Sequence, residues 1–379
     1  MKKICYITTV ALSIRSFFIP QLKYLSENGY DVTVICSPDE NLNMDLGEGI
    51  KYIPVSIARG VSPMTLGKSI MNLKKIFKQE KFDIVQYSTP NAGFCGSIAA
   101  KLAGVKIRNY HLMGLRYLGM SGIARMIFKM LEKMSCSLST HIECITPSNL
   151  DLCIKEKLFK ADKGTMVWNG STGGVDIERF DVSNRESWRN EVRSELELDS
   201  KDFVFGFVGR LTRDKGVNEI LEAFRNLESK SKLLIIGVRE GTDTIEPELW
   251  QYAENSGRVI ILDFKKDIER YYSAMDVLLL PSYREGFGMV IAEAAAVGTP
   301  AIVSNIPGPI DVINEGKTAL TVEVKNARDL QDKMEYMLDN PDIISNMLEN
   351  CAEFIKGKFD SKVLNEKISE RKDKLLGEL

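Results

Sequence analysis

The chain has little of what several common chemistries require. Its 379 residues include only two histidines, His111 and His141, and no HExxH pattern, so a zinc site built on His and Cys lacks raw material. The seven cysteines are an odd number, hold no CxxC pair and lie in apolar or small-residue stretches. That distribution fits reduced thiols in a cytoplasmic protein and not a disulfide framework. No run approaches the roughly 18 uninterrupted apolar residues of a membrane-spanning helix. No GxGxxG follows an apolar run and no GxxxxGK[ST] occurs, so a nicotinamide dehydrogenase or a P-loop enzyme would lack its fingerprint. A formal net charge of −2, from 50 Lys/Arg against 52 Asp/Glu, argues against a globally basic nucleic-acid binder.

What is present is a long, ordinary globular chain with an uneven distribution of charge. At 44% apolar content, 379 residues suffice for two domains that each bury a core. Residues 1–180 carry 23 Lys/Arg against 15 Asp/Glu, a net of +8, while residues 181–379 carry 27 against 37, a net of −10. One half is basic and the other acidic.

The start, MKKICYITTVALS, has the charge and short apolar run of a signal peptide, but the residues downstream of it favour a strand. Residues 4–10 lead through Ser13, Ile14 and Arg15 into a helical pattern at Phe17, Phe18, Leu22 and Leu25, then a turn at Asn28-Gly29 and the apolar run 32–35. Strand, helix, turn, strand is the opening of a parallel α/β sheet. Further strands are predicted at 50–57, 82–87, 105–110 and 142–146. Near Val167 the texture changes to the Gly-rich WNGSTGGVD, a turn-rich connector. A charged helix over 185–198 comes next, and then a second βα series with strands at 203–208, 233–236, 259–262, 277–280, 301–303 and 319–322. Short apolar runs of this kind suit parallel strands covered by helices on both faces. The expectation is two doubly wound domains, 1–170 and 171–350, with a charged helical tail over 351–379 that packs back on the first.

Two constellations carry chemistry. In PSYREGFGMVIAEAAAVGTP (281–300), a loop with two glycines runs into a helix whose first amides are unpaired and partly positive. Gly286, Phe287, Gly288 and Met289 can therefore receive a phosphate, although an ordinary capped turn has the same outline. Glu293 lies in an otherwise apolar helix, where a buried carboxylate costs several kcal/mol unless hydrogen-bonded or paired, so it awaits either sugar hydroxyls or a basic partner. Glu285, just before the helix, either holds hydroxyls or caps. In VGRLTRDKG (208–216), Gly209, Arg210 and Lys215 come after a strand at the edge where α/β sheets bind ligands, and the two cations could neutralise a diphosphate.

Together these residues resemble the retaining glycosyltransferases of family 4: Gly209-Arg210 with Lys215-Gly216, Asp276 through Pro281-Ser282, then Glu285-Gly-Phe-Gly with Glu293 eight positions on. The resemblance implies a GT-B fold, two Rossmann-like domains facing across a cleft. Gly114-Leu115-Arg116-Tyr117, Pro147-Ser148 and the run from Asn169 to Phe180 are similar to a bacterial subgroup that extends undecaprenyl-diphosphate-linked sugars for capsule, O-antigen or N-glycans, commonly from a UDP-N-acetylhexosamine. On this resemblance Arg210 and Lys215 hold the donor diphosphate with the amides of Phe287, Gly288 and Met289, Glu285 meets the donor sugar, Glu293 the ribose, and Asp263 and Phe264 the base. No metal or other cofactor is implied. The subgroup often reads His-Gly-Leu-Arg where this chain has Met113, while His111 lies two residues earlier, on the same side of a strand, as either a catalytic or a packed residue. Ser13, Arg15 and Arg116 are candidate acceptor contacts, Arg15 because guanidinium and phosphate pair bidentately. A GT-B 2-epimerase, or a nucleotide-sugar-binding protein without turnover, stands as the alternative.

One further segment has two readings. Ile123, Met126, Ile127, Met130, Leu131 and Met134 fall at helical spacing with Arg125, Lys129 and Lys133 beside them, and 68–81 adds Lys74, Lys75 and Lys78 around Ile70, Leu73, Ile76 and Phe77. Such a helix packs a core or lies on an anionic membrane surface. The second reading suits a cytoplasmic enzyme held peripherally at the inner face of the plasma membrane.

Overall fold

The computed structural model describes residues 2–58, 60, 62–228, 230–239 and 245–378. The chain forms two compact units, one holding everything up to Gly174 plus the segment from Ser361 onward, the other Val175–Asp360.

In the first unit the chain runs β1 (Lys2–Ile7), α1 (Ala11–Phe17), α2 (Ile19–Glu27), β2 (Tyr30–Cys36), α3 (Leu42–Leu46), β3 (Ile50–Pro54), α4 (Pro63–Glu80), β4 (Ile84–Ser88), α5 (Pro90–Ala103), β5 (Ile107–Leu112), α6 (Gly122–Leu138), β6 (His141–Cys144), α7 (Pro147–Lys155) and β7 (Gly164–Thr165). The strands pair in parallel in the order β3-β2-β1-β4-β5-β6-β7. Alternation along each strand feeds two apolar layers. Cys5 and Ile7 pack under α4, α5 and α7, while Ile4 and Tyr6 pack under α1, α2 and α3. Pro63, Pro90 and Pro147 stand at helix starts, where the missing N–H costs nothing.

The second unit runs α8 (Arg185–Glu195), β8 (Val204–Val208), α9 (Val217–Asn226), β9 (Lys232–Ile236), α10 (Pro247–Asn255), β10 (Val259–Leu262), α11 (Ile268–Ala274), β11 (Val277–Leu280), α12 (Met289–Ala296), β12 (Ala301–Ser304), β13 (Ala319–Val322), α13 (Ala327–Asp339) and α14 (Pro341–Phe359). Its strands, also parallel, are ordered β10-β9-β8-β11-β12-β13. In each unit the order reverses beside the first strand, between β1 and β4 and between β8 and β11. Loops leaving the C-terminal ends of those strand pairs flank the crevice where doubly wound sheets bind ligands.

Two expectations are corrected, and one open alternative is decided. The boundary drawn at 170/171 lies at 174/175, because the Gly-rich connector packs on the first unit: Ser171 N–H donates to Ile145 O at 2.7 Å, and a Cβ on Gly173 would sit 2.6 Å from Phe17 O. The returning tail starts at Ser361 and not at 351, since residues up to Phe359 complete α14. It forms α15 (Ser361–Gly377), whose Leu375 joins the layer under α2. Finally, the apolar stripe of α6 is not core. Ile123, Met126 and Met130 are 73%, 67% and 64% exposed, and only the opposite side of the helix, with Glu132, Ser135 and Cys136, is buried.

Candidate functional site

In the second unit both sequence constellations come to the β8/β11 crevice. After β8, Gly209 and an exposed Arg210 lead into a single 3-10 turn, Arg213–Lys215, closed by Gly216 at φ 74°. Only glycine fits there, since a Cβ would lie 2.3 Å from Pro281 O at the end of β11. That close approach brings the two loops together. Lys215 Nζ reaches Glu285 Oε1 at 2.5 Å, and Ser282 Oγ donates to the same oxygen at 2.9 Å. Both partners of the ion pair are largely shielded, with side chains 19% and 12% exposed, so the pair is held in a low-dielectric setting.

Asp214 fixes the loop from behind. Its carboxylate accepts from Thr212 Oγ1 at 2.6 Å and from Arg284 at 2.8 Å, and its carbonyl accepts from Tyr283 N–H at 2.9 Å. Burial works to raise the Asp214 pKa, yet the Thr212 hydroxyl and the cations Arg284, Arg210 and Lys215 hold it below the usual carboxylate range. An anchored carboxylate thus keeps three cations around one loop.

The glycine loop ends at Gly288, φ 92°, and α12 starts at Met289. Phe287 anchors it by turning inward, 2% exposed and edge-on to Phe359 with ring centroids 5.2 Å apart. Gly286, Gly288 and Met289 therefore line the helix start on a backbone fixed by a buried side chain. One turn further, Glu293 is mostly buried, and the Tyr272 hydroxyl donates to it at 3.0 Å. Burial pushes its pKa up to about 7, with that hydrogen bond and Arg179 opposing. The sequence offered sugar hydroxyls or a salt bridge as its partners; within the protein the partner is a tyrosine hydroxyl in place of a salt bridge. Asp263 and Phe264 stand exposed just past β10, Phe264 at 72%.

Ser282, Asp214 and Tyr272 do not stand out in the sequence as site residues. The first two lie inside the glycine- and cation-bearing motifs and are legible there as polar neighbours of Glu285 and Lys215. Tyr272 is 21 positions from Glu293 and carries no local signal.

The first unit places its candidates at the C-terminal ends of β1 and β5. Ser13 and Arg15 lie on α1. The guanidinium of Arg15 is engaged by both oxygens of Asp39, at 2.6 and 2.9 Å, and by Asp45 at 2.5 Å, so the bidentate partner expected to be a substrate phosphate is the chain's own Asp39. Arg116 stacks over Phe128, 5.0 Å from its centroid. His111 is buried on the face shared with Asn109, against Glu143, Gln86 and Lys372, with Phe18 edge-on at 5.7 Å. Burial pushes its pKa down to about 4, reinforced by Lys372 and opposed by Glu143, so its ring is neutral at pH 7. Its Nε2 has no partner among the described residues. Also among these residues, no three His, Cys, Asp or Glu side chains group as metal ligands, and no helix is long and apolar enough to cross a membrane.

Several relatives share nearly the whole length of this chain. It is 29% identical over 371 residues, 97% of this chain and 96% of the other, to the capsular polysaccharide biosynthesis glycosyltransferase CapM of Staphylococcus aureus. It is 26% identical to the Escherichia coli UDP-Gal:alpha-D-GlcNAc-diphosphoundecaprenol alpha-1,3-galactosyltransferase, over 94% of this chain and 93% of that one. It is equally similar, at 26% with 93% of both chains covered, to the N,N'-diacetylbacillosaminyl-diphospho-undecaprenol alpha-1,3-N-acetylgalactosaminyltransferase of Campylobacter jejuni. The fold matches that of the solved sucrose-phosphate synthase of Thermosynechococcus elongatus, with a TM-score of 0.83 at 18% identity over all of both chains. Residues 3–146 match the glycosyl transferase 4-like model and residues 189–357 that of glycosyl transferases group 1, which favours glycosyl transfer over a 2-epimerase or a binding protein without turnover. The chain thus carries a glycosyl transferase 4-like segment and a group 1 segment on two parallel doubly wound sheets, and is a glycosyltransferase of GT-B fold.

Proposed function

We propose that this enzyme moves an N-acetylhexosamine, of GalNAc or GlcNAc type, from a UDP-sugar onto a polyprenyl-diphosphate-linked glycan, with retention of anomeric configuration as in family 4. It does so without a metal and works peripherally at the inner face of the plasma membrane, where such acceptors are held. The observation that carries this reading is the Lys215–Glu285 pair at the β8/β11 crevice, one loop before the start of α12.

The chemistry is set by charge. Breaking the sugar–phosphate bond leaves a nucleoside diphosphate with an added negative charge. Lys215, Arg210 and the amides of Phe287, Gly288 and Met289 stabilise that charge, each well-placed donor contributing about 3–4 kcal/mol. Cationic and backbone donors do here what a divalent ion does elsewhere. Glu285 takes hydroxyls of the donor sugar as Lys215 turns to the diphosphate, Glu293 takes the ribose, and Asp263 and Phe264 flank the base. In the first unit Ser13 and Arg116 meet the acceptor, and Arg15 joins them by exchanging Asp39 for the acceptor's diphosphate. The names of the undecaprenol-acting relatives support this choice of acceptor, and the E. coli name supports UDP.

The test is incubation with a panel of radiolabelled UDP- and GDP-sugars and short polyprenyl-diphosphate glycans, with and without EDTA, and NMR of the product anomer. EDTA-insensitive transfer from a UDP-N-acetylhexosamine with retention is expected. Tight binding of one donor with no transfer to any acceptor overturns the reading.

A further inference from the structure

The carboxylates around the second unit's crevice differ in their partners. Glu285 pairs with Lys215 and Asp214 with Arg284, but Glu293 meets a neutral phenol, the Tyr272 hydroxyl donating to its Oε2 at 3.0 Å. A cation would neutralise the carboxylate and draw on its lone pairs from several N–H groups. A phenol donates one hydrogen and leaves the rest of the carboxylate free to accept. Among the described residues no other hydrogen bond or ion pair reaches Glu293, and the residue is not fully covered, so Oε1 stays open to a ligand. A purely structural contact in this apolar helix would be served by a glutamine without the cost of burying an ionisable group.

Tyr272 is the fixed member of the pair. α11 leads into β11 and α12 follows it, and the two helices pack together. The Tyr272 ring is fully buried and lies 6.4 Å from that of Phe180. Its backbone is held as firmly, since Tyr272 O accepts from Thr299 Oγ1 at 2.8 Å and that hydroxyl accepts from Arg185 at 2.6 Å. Arg185 is itself buried and also donates to Val297 O at 2.8 Å. Burial and the adjacent carboxylate raise the phenol's pKa well above its ordinary value, so it remains a donor throughout the neutral range. The flexible partner is Glu293, whose side chain takes its direction from a hydroxyl that cannot follow it.

We propose that Tyr272 is a positioning residue of the donor site: holding Glu293 Oε2 from a fixed phenol, it presents Oε1 to the ribose hydroxyls of the nucleotide and sets the preference for ribose-bearing donors. The proposal rests on the reading of Glu293 as the ribose contact and deepens it. Tyr272 acts only through Glu293 and touches no substrate.

The experiment is calorimetric titration of the full chain with UDP and with 2′,3′-dideoxy-UDP, which offers Glu293 no hydroxyl. The wild type should bind UDP about tenfold more tightly or better. Tyr272→Phe keeps the ring against Phe180 and loses only the donor. It should cut that preference by about fivefold or more, through weaker UDP binding, with the dideoxynucleotide bound as before. Tyr271→Phe, whose lost hydroxyl bonds Glu195 at 3.0 Å, should keep the full preference. Tyr272→Phe with Glu293→Gln should bind UDP no worse than Glu293→Gln alone, because the phenol has no other route to the nucleotide. The pH profile gives a second readout. The charged groups acting on Glu293 are Arg179 and Glu269, which pair with each other at 2.8 Å and are present in both forms. The hydroxyl favours the ionised carboxyl, so its loss should move the rise of UDP affinity to higher pH. A hydroxyl that only supports the fold would weaken both nucleotides alike and leave the profile in place. If Tyr272→Phe retains the preference that Glu293→Gln loses, or if the two losses add, the positioning role falls alone. If Glu293→Gln retains the preference as well, Glu293 is not the ribose contact and the reading beneath falls. The expected affinities without transfer to any acceptor remove the proposed reaction and leave Tyr272 in its role.

Discussion

The ammonium of Lys372, on the last helix, lies 2.9 Å from one carboxylate oxygen of Glu143 on β6, and both side chains are almost fully buried, 1% and 4% exposed. Gln86 Oε1 accepts from the same ammonium at 2.7 Å, and Asn109 Nδ2 donates to both Gln86 and Glu143. α15 is thus fastened to the first unit's sheet through a closed polar cluster and not by apolar contact alone. Burial works to raise the Glu143 pKa, yet the Lys372 ammonium and the Asn109 amide hold its carboxyl below the usual range.

Removing Lys372 leaves the Glu143 carboxylate buried with only Arg371 Nε, 3.7 Å away, as a cation. Lys372→Met should therefore destabilise the protein by about 3–5 kcal/mol in urea unfolding. Lys372→Met with Glu143→Gln removes both charges and should recover much of that loss. If the single variant unfolds at the wild-type urea concentration, Lys372 is solvated and the cluster contributes nothing.

Lys215→Ala should lower kcat/KM for the UDP-sugar by about 10²–10³, the equivalent of roughly 3–4 kcal/mol of leaving-group stabilisation. It also leaves the Glu285 carboxylate without its cation beside the incoming diphosphate. Lys215→Ala with Glu285→Gln should then bind UDP more tightly than Lys215→Ala alone, although neither turns over well. Calorimetric affinities for the three forms check this; additive losses would place the two residues in separate sites.

Much of this site was legible in the sequence, for a physical reason. Parallel strands covered on both sides must be continuous apolar runs, so 259–262, 277–280 and 319–322 are read to the residue. Phosphate-facing loops need glycine and cation at fixed offsets, so Gly209, Lys215 and Glu285 stand out. What stayed hidden depends on contacts between distant segments. The Tyr272 hydroxyl on Glu293 and Lys372 on Glu143, 229 positions apart, leave no periodic trace. β7 is two residues long, too short to show any alternation. The outward turn of α6 was undecidable because periodicity reveals that a helix has an apolar side but not where that side points.

Glu293 titrates near pH 7 in the free protein, since burial raises it to about 7. In the proposed donor complex, two ribose hydroxyls donating to it would favour the ionised form and lower that value. Affinity for a UDP-sugar should therefore rise between pH 6 and 8, with proton release measurable by calorimetry in buffers of different ionisation enthalpy. Glu293→Gln should bind more weakly and flatten the profile. A wild-type profile as flat as that of the variant would mean that Glu293 serves Tyr272 alone.

Glu132 on α6 gives a separate pH signature in stability. It is buried among Tyr110, Phe128 and Leu131, and the Tyr110 hydroxyl donates to it at 2.5 Å. Burial pushes its pKa up to about 7, with that hydrogen bond opposing. Below about 4.5 the carboxyl is protonated in both states and costs nothing. From there to about 7 the unfolded chain gives up its proton while the folded one keeps it, so the native state binds more protons and stability falls as pH rises. The loss levels off above the folded value, at on the order of 3 kcal/mol. Glu132→Gln keeps the shape and the acceptor for Tyr110 but cannot ionise. Urea unfolding at pH 5, 6, 7 and 8 should show the variant gaining on the wild type at each step up to 7 and holding a constant lead beyond it. A lead that does not change with pH would mean that Glu132 ionises in the native state at its ordinary value.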